Sequence, residues 1–196
     1  MDYVTADLHL RHSNIIEFER TQFKSIEEHD QYIVKQWNSI VKDSDRVFIL
    51  GDIGFKPFSE LGKLIKQLKG HKILIKGNHD QMVIGDAINM GFEIMYNHPI
   101  YYNDHIILSH EPLKEAWDNP YVYNIHGHCH NSLYITANNY FNVNIATTNY
   151  RPVSLTNFVS AAQLKCKKRR ERWGQEWYFN YLKSPDNAKK PSKKFK

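Results

Sequence analysis

Groups able to bind a metal ion recur in five short blocks of this chain. They are Asp7-Leu8-His9, Gly51-Asp52, Gly77-Asn78-His79-Asp80, Ser109-His110 and Gly127-His128-Cys129-His130. Carboxylate, imidazole and amide donors without an obligatory thiolate suit manganese, zinc, iron or nickel better than an iron–sulfur cluster or copper(I). One divalent ion rarely needs so many ligands, whereas two ions sharing a carboxylate would use them all. Two metals about 3.5–4 Å apart are the recurrent arrangement for displacement at phosphorus. The chain has 11 histidines, so any one taken alone reads as structural or surface, and it is the joint placement of four that argues for ligation.

The elements that must position these blocks follow from pattern. Residues 3–6, 47–50 and 72–76 read as buried strands. Between them, Ser25 with Glu28 makes a capping-box signature ahead of Ile26, Ile33, Trp37, Ile40 and Val41 at helical spacing, and Leu61, Leu64, Ile65 and Leu68 share one face of a helix over 59–68. A helix is expected over 82–90. Strands follow at 100–103, 105–109, 121–125, 133–137 and 140–145, with Asn138-Asn139 as a turn, and a last helix runs into the C-terminal segment. Each donor block therefore falls where a strand runs out into a loop, the place where open α/β sheets gather ligands. The period of two points Asp7 and His9 the same way, and likewise His128 and His130, with Cys129 turned away if that stretch stays extended. Successive βα units and then a run of strands imply layered α/β architecture with sheet packed on sheet.

Composition bounds the rest. A length of 196 residues is about one domain, and 41% hydrophobic with 24% charged residues excludes wholesale disorder. No apolar run approaches the roughly 18–20 residues that span a bilayer, and Met1-Asp2-Tyr3 does not open a basic-then-apolar leader, so a cytoplasmic address without membrane contact is expected. Cys129 and Cys166 are read as free thiols. The formal charge of +5 is unevenly placed: 14 basic against 18 acidic residues give −4 through Leu164, and 12 against 3 give +9 from Lys165 onward. The expected organisation is a catalytic domain over 1–164 and a basic, aromatic-containing extension over 165–196, whose last ~13 residues form a mobile tail.

The ordered blocks, together with the run Asp7-Leu8-His9-Leu10-Arg11-His12-Ser13-Asn14-Ile15-Ile16, resemble the calcineurin-like metallophosphoesterase superfamily, in particular its small single-domain bacterial and phage members. The resemblance implies a two-sheet mixed β-sandwich flanked by helices, a four-layer fold. It implies a first metal on Asp7, His9, Asp52 and His130, and a second on Asp52, Asn78, His110 and His128, with Asp52 bridging. Manganese is the foremost cofactor, with zinc, iron or nickel as alternatives. Metal-activated hydroxide would hydrolyse a phosphate mono- or diester, a nuclease or nucleotide phosphodiesterase activity included, in the cytoplasm of a bacterium or phage-infected cell. His79 resembles the family's non-ligand histidine and is the candidate general acid. Many relatives carry Gly-Asp-x-x-Asp, in which the second Asp orients that histidine, and here the position is Phe55. The alternative is a non-catalytic scaffold, similar to the retromer subunit that kept the fold and lost the chemistry.

Beside these blocks, Arg11, His12, Asn14 and His126 are candidates for substrate contact or ligand support, and His29, His71, His98 and His105 read as solvated or structural. Trp37 fits a buried helix face. The run from Lys165 to Arg172, followed by Trp173, Trp177, Tyr178, Phe179 and Tyr181, has two readings. One is attachment of nucleic acid; the other is a helix with packed aromatics and solvated lysines, interrupted or weakened at Gly174. Oligomeric state is left open.

Overall fold

The computed structural model describes residues 1–114, 116, 119, 121–130 and 139–183. Four short strands, β1 (Asp2–Thr5), β2 (Arg46–Leu50), β3 (His71–Ile75) and β4 (Ile94–Tyr96), lie parallel. A second set, β5 (Ile100–Asn103), β6 (Ile106–Leu108), β7 (Tyr123–His126) and β8 (Tyr140–Asn142), forms another sheet in which β6, β7 and β8 are parallel and β5 is antiparallel. The first sheet is completed by β9 (Val153–Ser154), antiparallel to β1, and has the order β4-β3-β2-β1-β9. The helices given by the described residues are α1 (Ser13–Phe18), α2 (Ile26–Asn38), α3 (Phe58–Ile65), α4 (Ile84–Met90) and α5 (Leu155–Lys183).

Both faces of the first sheet are buried, which is why its strands read as continuous apolar runs. On one face Val47, Ile49 and Leu74 pack with Ile33, Trp37, Leu61, Ile65 and Met90 from α2, α3 and α4. On the other, Phe48, Leu50, Ile73 and Ile75 meet Ile106, Leu108, Tyr123 and Ile125 of the second sheet, and Leu155, Ala162 and Cys166 of α5 are buried in the same cluster. The result is two mixed sheets face to face, flanked by helices. Trp37 is fully buried and its indole N–H donates to the Lys69 carbonyl at 3.0 Å.

Where boundaries move, local hydrogen bonds account for the difference. Asn144 accepts from the Ala146 amide and starts a 3₁₀ turn, so β8 ends at Asn142 rather than near residue 145. The Tyr121 and Val122 amides bond Asn119, which delays β7 to Tyr123. Ser25 caps α2 by accepting from the Glu28 amide, while the Glu28 carboxylate takes the Lys24 amide instead of closing the reciprocal arm of the box. The helix α5 runs unbroken across residues 164 and 165, and Cys166 is buried in the inter-sheet core. The expected strand at 133–137, residue 138 of the turn after it and the tail from 184 lie outside the described residues, as do the side chains of the C-terminal aromatics.

Candidate metal centre

Parallel neighbours end at the same edge of a sheet. The loops after β1, β2 and β3 therefore emerge side by side, and those after β6 and β7 emerge opposite them. Pairing continues past the strands: the Asp7 amide donates to the Gly51 carbonyl, His9 to Asp52 and Leu10 to Ile53, each at 3.0 Å. The two sheets are tied by Ala6, whose amide donates to the Val143 carbonyl at 3.0 Å. The chain then turns sharply, with φ of 56° at Asp7, 48° at His9, 54° at Asp52, 64° at His128 and 25° at His130. These left-handed values correct the expectation from strand alternation. Asp7 and His9 do reach one site, but through turns, and His128 and His130 diverge to different neighbours. Gly127 and Gly77 allow the closest approaches, because a Cβ on either would collide with the carboxylate of Asp7 or Asp52 respectively.

Two trios result. Asp7, His9 and His130 have donor atoms within 4.8 Å of one another, as do Asp52, His110 and His128. Asp52 Oδ2 faces both, at 3.4 Å from His110 Nε2 and 3.9 Å from His9 Nε2. The Asn78 Oδ1 atom joins the second trio, 2.7 Å from His110 Nε2 and 3.1 Å from His128 Nδ1. His110 donates from Nδ1 to the Leu50 carbonyl at 2.8 Å, which fixes its tautomer and leaves the Nε2 lone pair aimed at Asp52, Asn78 and His128. His9 is 2% exposed, and neither of its ring nitrogens has a hydrogen-bond partner.

Converging lone pairs with so few protons among them are costly unless a cation sits between them. Burial pushes the Asp7 carboxyl well above the ordinary range, Asp52 adds to the rise, and the His128 amide and Arg20 oppose it. Burial, reinforced by Arg20 and by neighbouring imidazoles, holds His9 down to about 2, so this ring is a neutral donor. A dication would reverse the penalty on the carboxylates. The donor set therefore fits divalent ions.

The remaining residues fall into place around these trios. The His79 side chain is exposed; its backbone amide donates to Asp52 Oδ1 at 3.0 Å, and its ring centroid lies 6.1 Å from that of His9 and 6.1 Å from that of Phe55. Phe55 stacks on His12 at 4.2 Å. Asp80 does not orient His79: its buried carboxylate accepts from the amides of Asp52 (2.9 Å), Ile53 (3.0 Å) and Gly77 (2.8 Å). His126 is buried with Nδ1 on the Gly127 carbonyl, and Cys129 stays out of both trios. Sequence reasoning missed Glu19, which bonds His130 Nδ1, and it missed Arg20, buried beneath Asp7. Both lie within 13 residues of Asp7, but no spacing rule marks them.

Comparison with known proteins agrees with this geometry. The family model for calcineurin-like phosphoesterases matches residues 3–188. An uncharacterized protein of Methanocaldococcus jannaschii is 33% identical over 167 residues, covering 78% of this chain and 86% of the relative. The gene 66 protein of Mycobacterium phage L5 is 40% identical over 83 residues, covering 40% of this chain and 39% of the relative. A crystal structure of a protein of unknown function from Aquifex aeolicus superposes with a TM-score of 0.65 at 26% identity, covering 82% of this chain and 98% of the other. Lone-pair donors gathered at the parallel-strand edge of two facing sheets are thus found in a chain that belongs to the calcineurin-like phosphoesterase family and is a metal-dependent phosphoester hydrolase.

Proposed function

We propose that the centre is dinuclear, with one divalent ion held by Asp7, His9, Asp52 and His130 and the other by Asp52, Asn78, His110 and His128, manganese being the first metal to test. The observation that carries this reading is His9, a buried imidazole without a hydrogen-bond partner on either nitrogen, beside the Asp52 oxygen that faces both trios. When bound, such ions lower the pKa of water toward neutrality and neutralise phosphate oxygens. The residues do the rest. His110, fixed by the Leu50 carbonyl, and His128 hold one side of the centre, and Asp52 keeps both halves in register through Oδ2. In this reading the exposed His79 ring, its centroid 6.1 Å from that of His9, gives a proton to the departing ester oxygen. With Phe55 beside it in place of a carboxylate, that ring has no anionic partner at the position relatives use.

The substrate is a phosphate mono- or diester. Lys167 and Lys168 are exposed on α5 within the basic run, which supports including polynucleotides among the esters tried. The test is a panel of an aryl monoester, an aryl diester, 2′,3′-cyclic phosphates and single-stranded DNA and RNA, offered to chelator-stripped protein resupplied with manganese, nickel or zinc. Hydrolysis that depends on resupplied metal is expected. Protein that binds two ions and hydrolyses none of these would point instead to a binding scaffold.

A further inference from the structure

Beneath the Asp7 loop lies a buried polar network that ligation does not use. Arg20 follows α1 and is 1% exposed. Its Nη2 donates to the Asp7 carbonyl at 2.6 Å and its Nη1 to the Leu8 carbonyl at 2.8 Å, while Nη1 also meets His29 Nε2 at 2.7 Å. A guanidinium only donates, so His29 accepts at Nε2 and carries its own proton on Nδ1, 2.9 Å from Asp30 Oδ1. The second Asp30 oxygen accepts from the Arg11 amide at 3.0 Å. The Tyr150 ring lies 5.9 Å from the guanidinium carbon and closes the far side.

Three side chains thus grip one loop from behind. Arg20 takes the carbonyls of residues 7 and 8, Asp30 takes the amide of residue 11, and His29 joins the two. The loop they hold carries left-handed φ at Asp7, His9 and Arg11, a conformation that non-glycine residues keep only where the surroundings impose it. The Asp52 turn has a different support, the Asp80 carboxylate. Arg20 Nε is buried without a hydrogen-bond partner, so the residue is not there for cheap packing, which an apolar side chain would supply at lower cost.

We propose that Arg20, His29 and Asp30 are positioning residues that act chiefly on the affinity of the ion on Asp7, His9 and His130, and reach the ion on the Asp52, His110 and His128 side only through the shared Asp52 and the bonds between the two loops. The inference rests on the dinuclear reading above. It gives each half of the centre a support of its own behind the shared Asp52, so that a change in one support weighs more on its own ion than on the other.

Calorimetric titration of the stripped full-length protein with Mn²⁺ tests it. Arg20→Met should weaken one binding step by about 10–100-fold, the range for loss of a ligand's supporting partner. The other step should weaken by about 2–5-fold at most, the low end of the coupling expected of sites that share a partner. The weakened step should be the one that His130→Ala removes and His128→Ala leaves. Ile33→Ala, a cavity in the α2 face beside the network, should lower the melting temperature without any step-selective loss. Should Arg20→Met fail to fold, Arg20→Lys and His29→Gln carry the same selective expectation at smaller size. Wild-type protein that binds no divalent ion would overturn the dinuclear reading and this inference together. Two wild-type steps, with Arg20 and His29 variants that weaken both steps equally or neither, would overturn this inference alone.

Discussion

Asp80→Asn isolates the part played by one buried carboxylate. Oδ2 accepts from the Asp52 and Gly77 amides and Oδ1 from the Ile53 amide. The best placement of an asparagine amide puts its oxygen in the Oδ2 position, keeping two bonds and turning an NH₂ toward the Ile53 N–H. One buried amide is then unsatisfied, costing about 1–3 kcal/mol. The two bonds that remain lose their ionic character and with it roughly half their strength. Against this, the neutral amide escapes the burial that pushes Asp80 above the ordinary carboxylate range, an effect to which Asp52 adds. Because the net shift is upward, that relief offsets the weakened bonds, and the balance is a loss of about 1–3 kcal/mol from the unsatisfied amide, or roughly 2–4 °C of melting temperature per kcal/mol for a chain of this size. Urea unfolding in excess chelator measures it without any contribution from bound ions. A variant within about 0.5 kcal/mol of wild type, the spread of ordinary surface changes, would refute the claim that Asp80 anchors the Gly51-Asp52 turn.

Asp52→Asn should lower occupancy of both ions and abolish turnover, since a neutral amide replaces the anion that faces both trios at 3.4 and 3.9 Å; metal analysis with retained activity would sink the bridging role. His79→Ala should keep both ions and slow turnover by about 10²–10⁴-fold, most for esters with poor leaving groups, and a uniform rate across leaving groups would remove it as the proton donor. Asp2 sits below the ordinary carboxylate range: burial pushes it up, but hydrogen bonds from Arg46 and Tyr102 push it down by more. Its stabilisation is therefore present above about pH 4 and lost as pH falls through its lower native value, so the wild type's advantage over Asp2→Asn in urea midpoint should shrink between pH 6 and 3. Burial and then the hydrogen bond to the Asp2 carboxylate push Tyr102 up to about 12, against the opposing charge of Arg46, and its contribution should fade between pH 10 and that value, a loss absent in Tyr102→Phe.

The strand endings were legible because a short apolar run that gives way within three residues to a metal-binding donor is a local pattern, and β1, β2, β3, β6 and β7 each present one. The grouping of the donors was legible only through family resemblance. The conformation of the loops was not: six non-glycine residues near the centre, Asp7, His9, Arg11, Asp52, His128 and His130, take left-handed φ, and although Asp and His tolerate it better than most, residue type does not say which of them will adopt it. Tertiary hydrogen bonds impose the turns, and their partners are far away in sequence. His128 donates its amide to Asp7 across 121 positions, and His79 to Asp52 across 27. His29 shows the limit from the other side. Taken alone it reads as one more surface or structural histidine, and only its place between a guanidinium and a carboxylate gives it a defined tautomer.

That contrast explains why this site is built on strained loops rather than on the strands themselves. Side chains on an extended strand alternate between faces, and both faces of β1 and β2 are already filled by core residues such as Tyr3, Val4, Val47 and Phe48. A donor can face the cleft only after the chain has left the sheet and reversed its handedness. Each such residue costs of order 1–3 kcal/mol and persists only where several bonds over-determine it. The Asp7 loop meets that condition through the Gly51 carbonyl, Arg20 and Asp30, and the Asp52 turn through Asp80 and the His9 amide. The two loops also bond each other, Asp7 to Gly51 and His9 to Asp52, so loss of Arg20 or Asp80 should loosen its own loop most and the other less, which is the physical basis for expecting the two ions to respond unequally.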